Sequence, residues 1–434
     1  MTHDGEWDRR SLLRGVAVLT GAAVAAPLLG GAATALADTG DADGLYQAGK
    51  FEEAGRAYEE ILKRDPANLH AARRRGLVAL LANTFPEAEK YLTMALDLAP
   101  DDMQTNQFLG DCYTRQDKLA QSVPCWRAAG EDAYATWFAA VHGEAYQIHG
   151  DIARLKWLRL DPSPLVEASV NGGPTKRFMF YTGSPYLSLS STVAKDAGLT
   201  PVYSQEIDFL DGRMWMHFGV LDSFTLGGIE LRNIPVEWSE SDTVSLDEHD
   251  HDGMIGTWVF HHFLTTFDYA GRWLILRRKT PETTANARAD ANRAGVKPLP
   301  LWLGREGASI HSRGSIDGSG PRVVGVNFGG TGEIAAGMAE ETAKQLRIRI
   351  DYDRPIQTFA HSHPADVYPC YPRAIRLGVA VAKDAYSYAN KRRSTVNPLG
   401  FDELGHFPHT FFKPYTVTLD FTEMNLYIAR GTAT

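Results

Sequence analysis

Cysteine is scarce in this chain, with three residues in 434. That count excludes a disulfide framework. Cys112 and Cys125 are near enough in sequence to pair, but single buried thiols are the expected state, and Cys370 is left over. No Cys-x-x-Cys pair exists, so zinc-type spacing is missing. Basic residues do not dominate either: 44 Lys and Arg stand against 53 Asp and Glu, for a formal charge of −9. That balance argues against nucleic acid as a partner. A Gly-x-Ser-x-Gly elbow and a phosphate loop are also absent, which removes support for a serine hydrolase or a nucleotide enzyme. None of these patterns indicates a cofactor. What remains is an ordinary globular balance, 44% apolar and 22% charged, on a chain long enough for two or three domains.

The first 37 residues read as a targeting segment. Asp8-Arg9-Arg10-Ser11-Leu12-Leu13-Arg14 resembles the twin-arginine export motif. A weakly apolar, Ala/Gly-rich run from Val16 to Leu36 follows, and Ala35-Leu36-Ala37 forms a small-x-small cleavage signal before Asp38. The run is a poor membrane span, and no cysteine follows it to carry a lipid. The expectation is export of the folded protein, cleavage after residue 37, no membrane span thereafter, and an extracellular, periplasmic or cell-wall location.

A 34-residue period comes next. It relates Pro66 to Pro100, Phe51 to Phe85 and Leu119, Ala54 to Ala88 and Ser122, and Gly76 to Gly110. Small residues recur where two helices would cross closely, large apolar ones recur between them, and proline follows the second helix. The pattern resembles the tetratricopeptide repeat. Residues 41–160 are therefore expected to form a helical array with repeats at 35–68, 69–102 and 103–136. Gly143, Tyr146 and the run to Leu160 would form a fourth, capping pair. The resemblance implies either a protein partner on the concave face or a buttress for the next domain.

After Pro162 the pattern changes to strands and turns. Asn171-Gly172-Gly173 is a strong hairpin signal after the alternating Val166–Val170. The return strand runs into Tyr181-Thr182-Gly183-Ser184, and Ser190–Leu199 reads as a short capped helix. Asp211-Gly212 turns between apolar strands that carry Trp215. Met254-Ile255-Gly256 is an apolar-apolar-Gly element, and Phe267-Asp268-Tyr269 with Trp273–Leu276 reads as a closing hairpin. This order resembles a lobe of an aspartic protease, with hairpin, Asp-Thr-Gly triplet, helix and flap. The plan recurs with Val324–Gly329 before Gly330-Thr331-Gly332-Glu333, a helix-like run from Met338 to Leu346, Pro398-Leu399-Gly400, and Thr418–Phe421 with Leu426–Ile428. The expected architecture is multidomain: an all-α tetratricopeptide-type array plus an all-β, two-lobed aspartic-protease-like domain. Lobe 1 would span 163–279, an interlobe linker 280–320, and lobe 2 321–434.

The resemblance implies two facing carboxylates that share one proton and activate water. Here Tyr181 and Gly330 stand at the expected aspartate positions. The braces Thr182 and Thr331 and the glycines Gly183 and Gly332 are kept, and Ser184 and Trp215 are further candidates for the cleft. Ordinary aspartic proteolysis should be lost. Glu333 beside Tyr181 is the candidate catalytic pair for proton transfer. Three readings stay open: a cleft that binds a peptide, protein or small molecule without cutting; a repurposed enzyme for cyclisation, isomerisation or hydrolysis; and a peptidase with relocated carboxylates. No metal is expected at His249-Asp250-His251-Asp252 or His361-Ser362-His363. At least one of His261 and His262 reads as a surface or satisfied core side chain, while His406 and His409 are candidates to line the cleft.

Overall fold

The computed structural model describes residues 36–209, 212–241, 251–329, 334–356 and 366–431. The twin-arginine motif, the apolar run, Gly330–Glu333, His249-Asp250 and His361–Pro364 lie outside the described residues.

The 34-residue period is a helix period. The described chain opens with α1 (Leu36–Gln47), α2 (Phe51–Arg64), α3 (Leu69–Leu81), α4 (Phe85–Leu98), α5 (Met103–Thr114), α6 (Leu119–Ala128) and α7 (Asp132–Ala139). Asn68 and Asp102, one period apart, each cap a helix by accepting a backbone N–H, from Ala71 and Thr105 respectively. Gly76 and Gly110 mark close crossings. A Cβ on Gly76 would lie 2.6 Å from Leu92, and one on Gly110 would lie 2.9 Å from Trp126.

The helices end at Ala139, and the expected fourth helical pair is not formed. Residues of the 143–160 stretch instead make β1 (Gln147–His149) and β2 (Ile152–Lys156). Burial along Ile152–Lys156 alternates with period two, and both strands complete sheets of the following domain. Lobe 1 continues with β3 (Leu165–Val170), β4 (Thr175–Phe180), β5 (Leu187–Ser190), α8 (Ser191–Asp196), β6 (Tyr203–Phe209), β7 (Gly212–Leu226), β8 (Ile229–Ser241), β9 (Gly253–Ile255), α9 (Thr257–Phe260), β10 (Phe263–Asp268) and β11 (Trp273–Arg278).

The stretch expected as an interlobe linker is largely ordered structure. It holds α10 (Pro281–Arg293), closed at its start by a Thr280–Thr283 capping box, then β12 (Leu299–Pro300), β13 (Trp302–Leu303) and β14 (Ile310–Ile316). Lobe 2 goes on through β15 (Ser319–Asn327), β16 (Ala336–Ala339), α11 (Glu340–Gln345), β17 (Val367–Cys370), β18 (Ala374–Leu377), β19 (Ala380–Lys383), β20 (Ser387–Asn390), β21 (His406–Pro408), α12 (His409–Phe412), β22 (Tyr415–Asp420) and β23 (Asn425–Arg430).

The described residues form three sheets. One orders β1-β8-β5-β9-β4-β3-β7-β6 in lobe 1, and one orders β17-β20-β16-β21-β15-β14-β18-β19 in lobe 2. The third, β12-β23-β22-β10-β11-β2, takes strands from both lobes, with β10 against β22 at its centre. The lobes repeat one another. Thr257 and His409 open equivalent helices, and Phe263 and Tyr415 open the strands that follow, each pair 152 residues apart.

The helical array shares its core with both lobes. Phe51 packs edge-on to Trp302 and Phe401, and Trp126, Trp137 and Phe138 join the main core of the β domain. A buried polar knot adds to this apolar seam. Arg115 forms a two-pronged ion pair with Asp111 at 2.7 and 2.8 Å and also donates to the carbonyls of Leu80 and Gly304. Asp111 in turn accepts the Glu306 backbone N–H at 2.8 Å. The three cysteines are buried and unpaired.

Candidate functional site

The first triplet is built by strand pairing. Asn171 and Gly172, both with positive φ, turn β3 into β4, and β4 runs parallel to β9 with Phe180 opposite Ile255. Tyr181 follows, its N–H donating to the Ile255 carbonyl at 3.1 Å. The ring of Tyr181 lies over Gly183, where a Cβ would come within 2.5 Å of its hydroxyl end. Thr182 is buried, and its hydroxyl oxygen accepts the backbone N–H of Phe328 at 3.0 Å, across the lobe boundary.

The equivalent pairing in lobe 2 sets β15 parallel to β21, with Val326 opposite Phe407 and Asn327 opposite Pro408. Each short strand is followed by a short helix, capped at its start by Gly256 in lobe 1 and by Pro408 in lobe 2. Superposing the helices sets Ile255-Gly256 on Phe407-Pro408, Phe180 on Val326, and hence Tyr181-Thr182-Gly183 on Asn327-Phe328-Gly329. The second triplet therefore begins at Asn327, three residues before the expected Gly330-Thr331-Gly332. His406-Phe407-Pro408, not Pro398-Leu399-Gly400, is the partner element. Leu399 instead faces the array, where its carbonyl accepts the Tyr46 hydroxyl at 3.0 Å.

Close approach of the two loops enforces this register. A Cβ on Gly329 would lie 1.5 Å from the Phe180 carbonyl oxygen, so backbone meets backbone. Phe328 gives up the threonine hydroxyl and packs its ring against Phe267 at 4.7 Å and Phe412 at 5.0 Å. The Tyr269 hydroxyl donates to its carbonyl at 2.6 Å.

Asn327 is the site residue that sequence reasoning missed. Its Oδ1 accepts the Gly329 N–H at 3.0 Å and the Thr182 hydroxyl at 3.3 Å. A backbone N–H can only donate, so this end of the amide is the oxygen. The Asn327 side chain also lies within hydrogen-bonding reach of the Tyr181 phenol. The Tyr181 phenol is held neutral: burial pushes its pKa up, Tyr388 nearby adds to the effect, and the Asn327 hydrogen bond opposes it. The two positions that would carry facing carboxylates thus carry a neutral phenol and a neutral amide, in contact with each other.

Other sequence candidates fall in different places. Trp215 sits on β7 with 45% of its surface exposed and stacks on His217. Ser184 caps the loop by accepting the Tyr186 N–H at 3.4 Å. His409 is fully buried at the start of α12, 3.5 Å from Asp161, and so does not line a cleft. His406 bonds the Tyr388 hydroxyl at 3.2 Å, and burial lowers its pKa to about 3. Asp252 accepts the Arg177 N–H at 2.7 Å, a structural role.

Two buried acids also escaped the sequence reading. Glu237 accepts the Ser188 hydroxyl at 2.6 Å, and burial raises its pKa to about 7 against the opposing Ser188 bond. Glu306 accepts the hydroxyls of Tyr134 on α7 and Tyr186 on the triplet loop, each at 2.9 Å. It thereby ties the array to the loop that carries Tyr181.

Residues 166–259 match the family model for aspartyl protease, and residues 39–102 match that for tetratricopeptide repeat. The chain carries a tetratricopeptide repeat and an aspartyl protease domain. The aspartyl protease match covers most of lobe 1, up to residue 259, and the likeness of lobe 2 rests on the internal repeat described above. Among solved structures, the chain is similar to the first TPR of Spaghetti (RPAP3) bound to the HSP90 peptide SRMEEVD. That similarity has 21% identity, 22% coverage of this chain, 77% coverage of that one and a TM-score of 0.22. No curated protein matches the chain. Among the described residues no helix is long and apolar enough to cross a membrane.

Proposed function

We propose that this is an exported protein whose aspartyl-protease-type cleft binds an extended peptide, or a small molecule of similar chemistry, without cutting it. The observation that carries the reading is the Tyr181–Asn327 contact at the centre of the two triplets. Aspartic proteolysis needs one ionised and one neutral carboxyl at these positions. A phenol with a raised pKa is a poor base, and an amide is none. The same pair is well suited to binding. With Oδ1 already accepting from Gly329 and Thr182, the Asn327 amide nitrogen is the end with unused donors; donation from it to the phenol oxygen would leave the phenol proton for a ligand carbonyl.

The proton-transfer role for Tyr181 with Glu333 loses support from the same fact. A phenol held neutral by burial is a weak acid as well as a weak base near neutral pH. The array, docked on both lobes, serves this reading as a buttress, and its remaining exposed surface is the place for a protein partner.

A displayed random-peptide library tests the proposal. Selection on the full chain should enrich peptides that remain uncut and lose roughly tenfold in affinity on Tyr181→Phe, the loss of one hydrogen bond to a bound carbonyl. Peptide fragments in the eluate, detected by mass spectrometry and absent with Asn327→Ala, would contradict it. For export, residues 1–37 fused to a folded fluorescent reporter should carry it out of the cytoplasm, and Arg9→Lys with Arg10→Lys should retain it. Export unaffected by the double substitution would remove the twin-arginine route.

A further inference from the structure

A cavity of about 450 Å³ opens at the seam where turns of the helical array meet the six-stranded sheet. It shares no residue with the two triplets. Phe85 lines it from the array, and His261, His262, Arg278, Lys279 and Phe421 line it from the protease side.

Its polar lining is unbalanced. Arg115 also reaches the cavity, but its guanidinium is consumed by Asp111 and backbone carbonyls. Asp117 is the one carboxylate among the lining residues, and it is engaged by His262 Nε2 at 2.8 Å. Lys279 makes one hydrogen bond, donating to the His261 carbonyl at 2.9 Å, and keeps two protons unused. The Arg278 guanidinium forms no hydrogen bond or ion pair with any described residue.

His261 supplies an independent sign of a missing partner. It is 8% exposed, lies edge-on to Phe421 with ring centroids 5.0 Å apart, and has a buried Nε2 without a well-formed hydrogen bond. The Gly307 backbone interacts with the ring and partly opposes the fall in its pKa, but no contact meets hydrogen-bond geometry at Nε2. Burial drives its pKa down, with Arg115, His262 and Lys279 adding to the effect, so the ring is neutral. A buried polar nitrogen left unmet is destabilising, and a bound polar group would relieve it. Nδ1 of His262 is likewise buried and unmet, with the Tyr146 ring stacked on the imidazole at 4.4 Å.

We propose that this seam cavity binds a small organic carboxylate that bears an apolar group. The carboxylate lies between Arg278 and Lys279, the apolar group packs between Phe85 and Phe421, and a polar atom of the ligand meets His261 Nε2. A free aromatic acid and the C-terminus of a peptide ending in an apolar residue share this chemistry. Two cations with unused donors, a single engaged carboxylate and two aromatic walls favour an anion over a cation or a neutral sugar. Because array and sheet each supply one wall, occupancy also cross-links the two parts of the chain.

Calorimetric titration of the full chain with N-acetyl-phenylalanine and with its amide tests this. The acid is expected to bind in the millimolar range or tighter, with the amide at least roughly tenfold weaker, and Arg278→Gln with Lys279→Gln should weaken the acid by a similar factor. Tyr181→Phe should leave the titration unchanged, which separates this site from the triplet cleft. The His261 ring resonance should shift on saturation. A hexapeptide ending in phenylalanine that binds as well identifies a peptide C-terminus as the source, and one that does not identifies a free acid. Equal affinity for acid and amide, an unchanged double variant, or no binding of the acid at all would overturn the site.

Discussion

The Thr182 hydroxyl accepts the Phe328 backbone N–H at 3.0 Å, and this bond crosses from one lobe to the other. It sets which residues face each other at the interface. With Phe328 opposite Thr182, the residue opposite Tyr181 is Asn327. The loops remain braced on the Thr182 side, while on the other side a packed phenylalanine replaces the hydroxyl.

Removing that brace should destabilise the interface. Thr182→Val leaves the buried Phe328 N–H without an acceptor, at an expected loss of about 1–3 kcal/mol in denaturant unfolding. Thr182→Ser keeps the oxygen and should lose markedly less. Equal losses would mean that the methyl group, not the hydrogen bond, is what matters.

Gly329→Ala is a harsher test of the same register. The added Cβ meets the Phe180 carbonyl, a backbone atom with nowhere to retreat. A loss of more than about 3 kcal/mol, or failure to fold, is expected. A variant as stable as wild type would show that the two loops do not cross at this point.

Glu237 should give stability a specific pH dependence. Its folded pKa, about 7, lies above the ordinary carboxyl value, so the native state holds a proton that the unfolded chain releases. Its contribution is then intact below the ordinary carboxyl pKa and is lost progressively as pH rises toward 7, by about 3 kcal/mol in all. Glu237→Gln should flatten that part of the stability–pH curve while keeping an acceptor for Ser188. An unchanged curve would mean that the carboxylate is ionised in the native protein.

The buried Arg115–Asp111 pair should make array and protease domain unfold together. Arg115→Met strands the Asp111 carboxylate in the seam and should cost about 3–5 kcal/mol. Calorimetry should show one transition for wild type and an earlier or split one for the variant. Two well-separated transitions in wild type would mean that the seam does not couple the parts.

Much of this architecture was readable from local sequence, and the unreadable parts share a cause. The helical period was visible because a close crossing admits only a small residue, as at Gly76 and Gly110. Lobe 1 was visible because Asn171-Gly172, Thr182-Gly183 and Ile255-Gly256 each have a local conformational reason. Lobe 2 misled because Gly330-Thr331-Gly332 imitates the triplet, whereas the working register depends on Val326 pairing with Phe407, 81 positions away. Pro408 in place of a glycine hid the partner element, and Phe328 in place of a threonine hid the brace. Glu306 looked like a linker residue because its partners, Tyr134 and Tyr186, lie 172 and 120 positions away. The His261 cavity exists only once the array has docked.

The Tyr181–Asn327 pair is tested most directly by assaying the full chain for peptide hydrolysis across acid to neutral pH, with and without pepstatin. The expected result is no pepstatin-sensitive cleavage of an unfolded protein at any pH, alongside stable binding of selected peptides. Pepstatin-sensitive turnover by the wild-type chain, abolished by Asn327→Ala, would contradict a cleft that binds without cutting.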